Sequence, residues 1–159
     1  MEWSDAGEAY NKLKIEAESA TLIKSSHEGK EYPSIGSGFS SSGDKYLSGI
    51  NDAGLYTPGQ ARISFKVNAV EACDAKLYFG AGVSGSARAS SYTIFVNGVE
   101  YNSTQNWSGG GWYDWKSQFF GVIQLQEGLN TIEIRINSNE CINLDYFIVE
   151  SAVEISEVA

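Results

Sequence analysis

Histidine, proline and cysteine are scarce in this 159-residue chain, which has one, two and two of them respectively. His27 lies among Ser, Gly and Lys residues with no Ser or Cys nucleophile motif nearby, so we expect a solvated loop residue rather than a catalytic base. Cys73 and Cys141 belong to no C-x-x-C pair, which argues against the common zinc and redox motifs. Whether these two cysteines form a disulfide stays open, because sequence separation does not give the distance between them.

Positive charge and long apolar runs are also in short supply. Eleven Lys and Arg stand against twenty Asp and Glu, which gives a formal net charge of −9. Such a chain repels nucleic acid and anionic membranes and favours cations or neutral ligands. Apolar runs are only a few residues long, far short of the roughly 20 that a membrane helix needs. We therefore expect no nucleic-acid or membrane partner.

The length predicts one domain with a single core. We expect this domain to span residues 13–151, with linker remnants at 1–12 and 152–159, as in a module taken from a larger secreted protein. The polar composition of residues 2–11 after Met1 supports the first boundary. No segment of positive charge followed by an apolar stretch opens the chain, so we expect the sequence to be that of a mature extracellular protein.

Alternating hydrophobicity predicts several half-buried strands. Residues 61–69 place apolar side chains on one side and polar ones on the other, and the same period of two recurs at 92–96, 132–136 and 144–148. Asn97-Gly98 suits a type I′ hairpin turn, which would make the neighbouring strands antiparallel. Seventeen glycines, many short strands and no helical stripe predict an all-β fold, an antiparallel β-sandwich of the jelly-roll type.

Two segments are predicted to be long loops, and long loops on a sandwich often carry function. The first, residues 25–60, is rich in Ser, Gly and Asp; the second, residues 104–116, contains three tryptophans. Glu127-Gly128 is predicted to turn the chain before Leu129. We therefore look for binding residues in the two long segments.

Acidic residues near the N-terminus offer a candidate metal site. Glu16 and Glu18 lie two apart on a predicted strand, so both face the same side, where two like charges are unfavourable without a counter-ion. Ca²⁺ takes six to eight oxygen ligands, which suits these glutamates, Asp145, and loop carbonyls near Asp44 and Lys45. The alternative, a pair of solvated surface glutamates, stays open at this point.

Aromatic residues offer a candidate carbohydrate site. Trp107, Trp112, Tyr113 and Trp115 crowd a glycine-rich segment that can present a flat ring. Sugar rings expose apolar C–H faces, so an aromatic platform with a few amide or carboxylate partners meets the chemical requirement for binding them. Trp112 is the predicted platform, whereas Trp115 is predicted to anchor the segment to the core. Amide partners are available at Asn51, Asn139 and Asn143.

Taken in order, six short motifs resemble the carbohydrate-binding modules of families 6 and 35, over about residues 13–150. They are Ile15-Glu16-Ala17-Glu18, Gly43-Asp44-Lys45-Tyr46-Leu47, Val96-Asn97-Gly98, Gly111-Trp112-Tyr113-Asp114-Trp115, Gly128-Leu129-Asn130-Thr131-Ile132 and Ile142-Asn143-Leu144-Asp145-Tyr146. Each motif alone is weak, but the set and its order are specific. The closer match is to family 35.

This resemblance implies a galactose-binding-like β-jelly roll with a structural Ca²⁺ beside the N-terminal strand. Its side-chain ligands would be Glu16, Glu18 and Asp145, and a loop carbonyl near Lys45 would complete the site. The sugar would bind in loops at one end of the sandwich. The residues that match the sugar-binding positions are Trp112 and Asn143, with Tyr46 or Asn51 as a further wall.

The sequence departs from the family pattern at Asn137-Ser138-Asn139-Glu140-Cys141, where a small, glycine-rich stretch is common. Asn139 and Glu140 are predicted to hydrogen-bond sugar hydroxyls, and the charge of Glu140 disfavours a uronic acid. Modules that resemble this chain bind β-mannan, galactosides, xylan or uronic acids. We favour mannan or galactose-containing hemicellulose.

The resemblance predicts a secreted, monomeric, non-catalytic module that binds polysaccharide or oligosaccharide and is covalently linked to a glycan-degrading enzyme. Two alternatives from other classes remain. One is a small glycoside hydrolase or lyase that uses Asp114 and Glu140 as paired carboxylates. The other is a protein-interaction module, which would retain no glycan.

Overall fold

A computed structural model describes residues 11–23, 25–27, 30–32, 34–50, 62–137 and 142–158. The strands, in chain order, are β1 (Asn11–Glu16), β2 (Thr21–Ile23), β3 (Ser25–His27), β4 (Lys30–Tyr32), β5 (Ser34–Ser37), β6 (Lys45–Ile50), β7 (Arg62–Ala69), β8 (Cys73–Arg88), β9 (Tyr92–Val96), β10 (Val99–Tyr101), β11 (Asn106–Leu125), β12 (Gly128–Ile136), β13 (Ile142–Ser151) and β14 (Ile155–Val158). Short 3₁₀ turns cover Ala17–Ser19, Ser42–Asp44 and Ala89–Ser91. None of the helical segments in this part of the chain has the length and apolarity of a membrane span.

Two antiparallel sheets form a sandwich, which confirms the predicted fold class. The front sheet has the order β11-β8-β13-β6-β5, and β1 pairs with the remaining length of β13. The back sheet has the order β10-β9-β12-β7-β14, and β2 pairs with β7. A separate hairpin joins β3 and β4. The first and last strands of the described chain thus pair with internal strands, which ties the two ends of the domain to its sheets.

The core lies between the two sheets and is filled by the inward side chains of each strand. Along β7 the buried residues alternate as predicted, at Ile63, Phe65, Val67 and Ala69, whereas Ala61 lies outside the described residues. The ring centroids of Phe65 in the back sheet and Phe147 in the front sheet are 5.0 Å apart. Burial of this kind stabilises a fold by about 25 cal/mol for each Å² of apolar surface removed from water.

The predicted hairpin turn is confirmed. Asn97 and Gly98 have φ values of 52° and 85°, which are those of a type I′ turn, and they connect Val96 to its partner Val99. The Asn97 side chain adds to the turn, because its Nδ2 donates to Asn130 Oδ1 at 2.8 Å and its Oδ1 accepts from the backbone N–H of Thr131 at 2.9 Å. Gly128, with φ 92°, begins β12 after the second predicted turn.

The prediction of two long loops was wrong in part. Residues 104–116 belong mostly to β11, a 20-residue strand at the edge of the front sheet. Glycines mark a register shift in this strand, between Gly110 and Trp115, and not a free loop. The other predicted loop contains β3 to β6 within its described part.

Cys73, at the start of β8, is a free thiol whose sulfur accepts a hydrogen bond from Ser151 Oγ at 3.3 Å. Cys141 lies outside the described residues. The backbone of His27 lies in β3, but the structure describes nothing of its side chain.

Candidate functional site

Three carboxylates meet at one place, as the metal prediction requires. Glu16 ends β1, Glu18 lies in the 3₁₀ turn that follows, and Asp145 lies in β13 at a register shift between Leu144 and Tyr146. One ligand oxygen from each residue lies within 4.8 Å of the others. The structure brings the three predicted carboxylates together, but not by strand alternation, because β1 ends at Glu16 and the turn brings Glu18 beside it. Their role as metal ligands stays a prediction.

Ser42 connects this acidic cluster to the turn before β6. Its backbone N–H donates to both carboxylate oxygens of Asp145, at 3.0 and 2.8 Å, and its hydroxyl donates to Glu16 Oε2 at 2.8 Å. Asp145 is 2% exposed. Hydrogen bonds to a charged carboxylate are stronger than those between neutral groups, so the turn is held firmly against the cluster.

Burial raises the pKa of Asp145, and the neighbouring carboxylate of Glu16 adds to that rise. Burial also raises the pKa of Glu18, with further contributions from Glu16 and Asp145. Lys14 acts in the opposite direction on Asp145, and Lys45 does so on Glu18. The cluster therefore holds its negative charge at a cost in free energy that a bound cation would remove.

The donor set fits Ca²⁺. Glu16 Oε1 and Glu18 Oε1 are buried, yet neither accepts a hydrogen bond from any described residue. A buried oxygen without a partner typically costs about 1–3 kcal/mol, and all the side-chain donors here are the hard oxygens that Ca²⁺ prefers. Lys45, the predicted source of a carbonyl ligand, begins β6 directly after the turn. That ligand stays a prediction.

The second feature is an aromatic cluster on the outer side of the front sheet. Gly110 pairs with Ser84 and Trp115 pairs with Gly82, so residues 111–114 bulge out of the β11–β8 ladder. The 111–114 bulge folds over the sheet, because a β carbon at position 82 would collide with the carbonyl group of Trp112. Only glycine at position 82 permits this close approach.

Two hydrogen bonds fix the 111–114 bulge. Asn143 Nδ2 donates to the carbonyl oxygen of Trp112 at 3.0 Å. Asp114 Oδ2 accepts from the backbone N–H of Gly110 at 3.0 Å and lies 3.2 Å from Lys116 Nζ. The Gly110 N–H and the Lys116 ammonium lower the pKa of Asp114, so its carboxylate stays ionised over the ordinary range. The Asp114 carboxylate therefore stabilises the backbone of the bulge. It is poorly suited to act as a general acid, because a general acid must carry a proton.

Exposed rings cover this end of the molecule. Trp112, Tyr113 and Phe39 are 43, 42 and 56% exposed. Phe39 and Tyr113 stack with their ring centroids 3.8 Å apart and their planes within 8°. Phe39 has a φ of 57°, which is rare for a bulky side chain, and its carbonyl oxygen accepts from Trp115 Nε1 at 3.0 Å. We define the aromatic end as the ring cluster of Phe39, Tyr46, Tyr113 and Trp115, together with exposed Trp112, which precedes Tyr113 in the bulge.

Tyr46 and Trp115 take different places from those predicted. Tyr46 is only 7% exposed and lies in strand β6, packed edge-on against Tyr113 and tilted against Trp115, so it supports the exposed rings and does not form a wall. Burial, and then its hydrogen bond with Tyr113, raise the pKa of Tyr46. Trp115 is half-buried in the aromatic end, and the tryptophan that anchors β11 to the core is Trp107, which is 2% exposed.

The other predicted binding residues divide into two groups. Asn143 is 8% exposed and its Nδ2 is engaged by Trp112, so its described role is to position the bulge. Asn51, Asn139 and Glu140 lie outside the described residues, and their predicted roles stay predictions. Sequence reasoning missed Phe39, although an isolated aromatic residue in a Ser- and Gly-rich segment is a signal that could have found it.

Comparisons with known proteins agree on the fold. No family model matches the sequence, and neither does any curated protein. Among solved structures, a family 35 carbohydrate-binding module from Cellvibrio japonicus has a TM-score of 0.66 at 16% identity, covering 94% of this chain and 99% of that one.

Two further solved structures contain family 35 modules with a known attached enzyme or a known ligand. A β-(1,4)-mannanase of Podospora anserina with a family 35 module matches with a TM-score of 0.64 at 18% identity, over 93% of this chain and 28% of the enzyme. A family 35 module in complex with a glucuronic acid-containing disaccharide matches with a TM-score of 0.64 at 16% identity, over 92% of this chain and 98% of that one. At these identities the likeness establishes the architecture: the chain has the jelly-roll fold of the family 35 carbohydrate-binding modules.

Proposed function

We propose that this chain is a non-catalytic carbohydrate-binding module that holds an attached glycan-degrading enzyme on plant cell-wall polysaccharide outside the cell. The observation that carries the proposal is the aromatic end, where Trp112, Tyr113 and Phe39 are exposed. Asn143 holds the backbone of Trp112, and Phe39 stacks on Tyr113. Such rings match the C–H faces of sugars, and a rigid platform loses little conformational entropy on binding.

The ligand that we propose is a neutral hemicellulose, β-mannan or a galactose-containing polymer. The chain has a net charge of −9, which repels a uronic acid. Among proteins of this fold, one is attached to a β-(1,4)-mannanase and another binds a glucuronic acid-containing disaccharide. Uronic acids, and xylan as expected from the sequence, are the rival ligands within the same function.

Linkage to an enzyme makes weak binding useful. Attachment raises the effective concentration of the catalytic domain near an insoluble substrate, so affinities in the micromolar to millimolar range, about −8 to −4 kcal/mol, are sufficient. The proposed role therefore needs no deep pocket, and a shallow platform of exposed rings meets it.

Calcium is proposed as a structural ion bound by Glu16, Glu18 and Asp145. It would supply charge neutralisation and bind the two oxygens that are buried without partners. Ser42 belongs to the turn that joins β5 to β6, and Phe39 precedes it in the same connection. The ion would thus stabilise the backbone that carries one of the exposed rings, without touching sugar.

Affinity electrophoresis tests the proposal against galactomannan, glucomannan, xylan, arabinogalactan and pectin, with calcium and again with chelator. Trp112→Ala should weaken retention by about thirtyfold or more, the loss typical of a truncated aromatic hot spot. Leu129→Ala is the matched control, because Leu129 is a similarly exposed apolar residue, 48%, in the back sheet. Trp112→Ala without effect would reject the platform.

The same purified chain separates the other functional classes. Incubation with mannan, xylan and pectin should release neither reducing ends nor unsaturated products. Products that disappear in Asp114→Asn would support the enzyme alternative. If no polymer slows the migration of the chain in affinity electrophoresis, a protein-interaction module becomes the favoured interpretation.

A further inference from the structure

Next to the aromatic end, the outer side of the front sheet carries a second set of carbohydrate-compatible groups. The register places Ser117 beside Gly80 and Gly80 beside Tyr146 in one row across three strands. The next row contains Phe119, Tyr78 and Ile148. These side chains point away from the core, because Phe79 and Phe147, their neighbours in sequence, are fully buried on the other side of the sheet.

A shallow cavity of about 220 Å³ lies on this face, lined by Lys12, Tyr78, Ser117 and Ile148. Beside it, the Tyr146 ring lies against the backbone of Gly80, where a β carbon would collide with the ring. The Tyr146 hydroxyl lies 3.0 Å from Ser117 Oγ, so two hydroxyl groups meet at the edge of the cavity. Each can donate and accept, which is what sugar hydroxyls require of a partner.

The apolar part of this surface is aromatic. The rings of Tyr78 and Phe119 have centroids 5.3 Å apart and planes tilted by 53°, and both are half-buried. Ring faces beside paired hydroxyls repeat the combination found at the aromatic end. This surface therefore offers both aromatic rings and hydroxyl groups for binding sugar. We call it the groove and define it by Lys12, Tyr78, Ser117, Phe119, Tyr146 and Ile148.

Charges on the groove are compensated. Lys12 Nζ lies 3.5 Å from Glu150 Oε2, and Lys14 Nζ lies 4.6 Å from the centroid of the Tyr146 ring. The Lys12 ammonium thus has an anionic partner and the Lys14 ammonium an aromatic one, so neither is left as a strong attractor for an anion. A neutral ligand matches this balance better than a uronate or a nucleic acid does.

The groove continues directly from the aromatic end. Trp115, Ser117 and Phe119 occupy successive outward positions of β11, and the four residue steps from the first to the last of them span about 13 Å at the rise of a β-strand. An extended chain of several sugars is long enough to reach from the aromatic end to the groove along this strand. The two surfaces form one elongated path.

We propose that the groove is a second contact for a neutral polysaccharide chain, so that the module recognises an internal segment of several sugars. This inference rests on the proposed function, because it assumes that the aromatic end binds sugar. It adds a length requirement: hexasaccharides reach the groove, whereas disaccharides bound at the aromatic end do not.

Isothermal titration calorimetry with mannohexaose, cellohexaose and xylohexaose, and with the corresponding disaccharides, tests the inference. Phe119→Leu keeps an apolar side chain but removes the ring. It should lower the affinity for the hexasaccharide about three- to tenfold and leave the affinity for the disaccharide unchanged. Ser117→Ala, at an exposed position, should likewise lower the affinity for the hexasaccharide and not that for the disaccharide. Val122→Ala is the control, since Val122 is 50% exposed on the same strand outside the groove.

The outcomes are distinguishable. Trp112→Ala should weaken binding of both lengths. If Trp112→Ala does so but neither Phe119→Leu nor Ser117→Ala affects the hexasaccharide, the groove is rejected and the proposed function stands. If no sugar binds the unmodified chain, both are rejected. A dimer in sedimentation equilibrium that Phe119→Leu dissociates would identify a second copy of the chain as the occupant and overturn the inference.

Discussion

Asn143 Nδ2 donates a hydrogen bond to the carbonyl oxygen of Trp112 at 3.0 Å, which joins strand β13 to the 111–114 bulge. Two residues along the same strand, Asp145 accepts two hydrogen bonds from Ser42. One strand therefore positions both the aromatic end and the acidic cluster. The aromatic end and the acidic cluster differ in chemistry, but β13 contributes a positioning residue to each.

Removing the amide at position 143 should loosen the bulge. Asn143→Ala loses a nearly buried hydrogen bond and leaves the Trp112 carbonyl without that donor, a change typically worth about 1–3 kcal/mol. At about 2–4 °C per kcal/mol for a domain of this size, differential scanning calorimetry should show a lower Tm. Affinity for polysaccharide should fall as well. An unchanged Tm would mean that the bulge holds its place without Asn143.

Two tryptophans of β11, Trp107 and Trp112, should differ clearly in their contribution to the free energy of unfolding. Trp107 is 2% exposed, its ring centroid is 5.0 Å from that of Phe79, and its Nε1 donates to the carbonyl oxygen of Phe119 at 2.8 Å. Trp107→Ala opens a core cavity and should reduce the free energy of unfolding by about 3–5 kcal/mol, as measured in denaturant. Trp112→Ala should change it little, because an exposed ring leaves no cavity. Equal losses for the two variants would contradict the placement of these side chains.

Local features of the fold could be predicted from the sequence, whereas features that depend on tertiary contacts could not. The alternation in β7 and the Asn97-Gly98 turn were predicted correctly, because period-two burial and positive φ are local properties of the chain. The three carboxylates that were predicted to share a site do lie together. Their meeting depends on a turn after β1 and a register shift in β13, which no periodicity reveals.

The aromatic end was predicted less well for the same physical reason. Glycines around Trp112 suggested a loop, yet they mark a bulge in a long edge strand, and only the pairing of Trp115 with Gly82 shows this. Which tryptophan enters the core depends on that register. Phe39 joins Tyr113 from a position 74 residues earlier in the sequence, a contact that tertiary folding alone creates.

Calcium should stabilise the folded chain, and Glu18→Gln should remove most of that effect. An ion bound only by the native state at a hundred times its Kd adds about 2.7 kcal/mol. Thermal melts with calcium and with chelator measure the difference. Glu71→Gln, at an exposed glutamate in the bend after β7, is the control and should keep the full response. A response of Glu18→Gln equal to that of the unmodified chain would exclude the acidic cluster as the binding site.

The acidic cluster also predicts a pH dependence whose sign reverses with calcium. Burial raises the pKa values of Glu18 and Asp145 in the folded chain, so without metal the native state binds protons more tightly than the unfolded state. The stability that protonation supports is present below the unfolded pKa values, at about pH 4, and is lost as the pH rises through the higher folded values. Calcium needs both groups ionised, so its stabilisation should grow over the same range.

Melts from pH 4 to pH 7, in buffer stripped of calcium and again with added calcium, test this reversal. Other carboxylates also titrate here, so the relevant quantity is the difference in Tm between the unmodified chain and Glu18→Gln at each pH. Without calcium, the unmodified chain should lose stability relative to Glu18→Gln as the pH rises, because the variant carries no charge at that position. With calcium the difference should change sign. Parallel curves in both buffers would show that the Glu18 carboxylate is solvated and that neither protons nor calcium act through it.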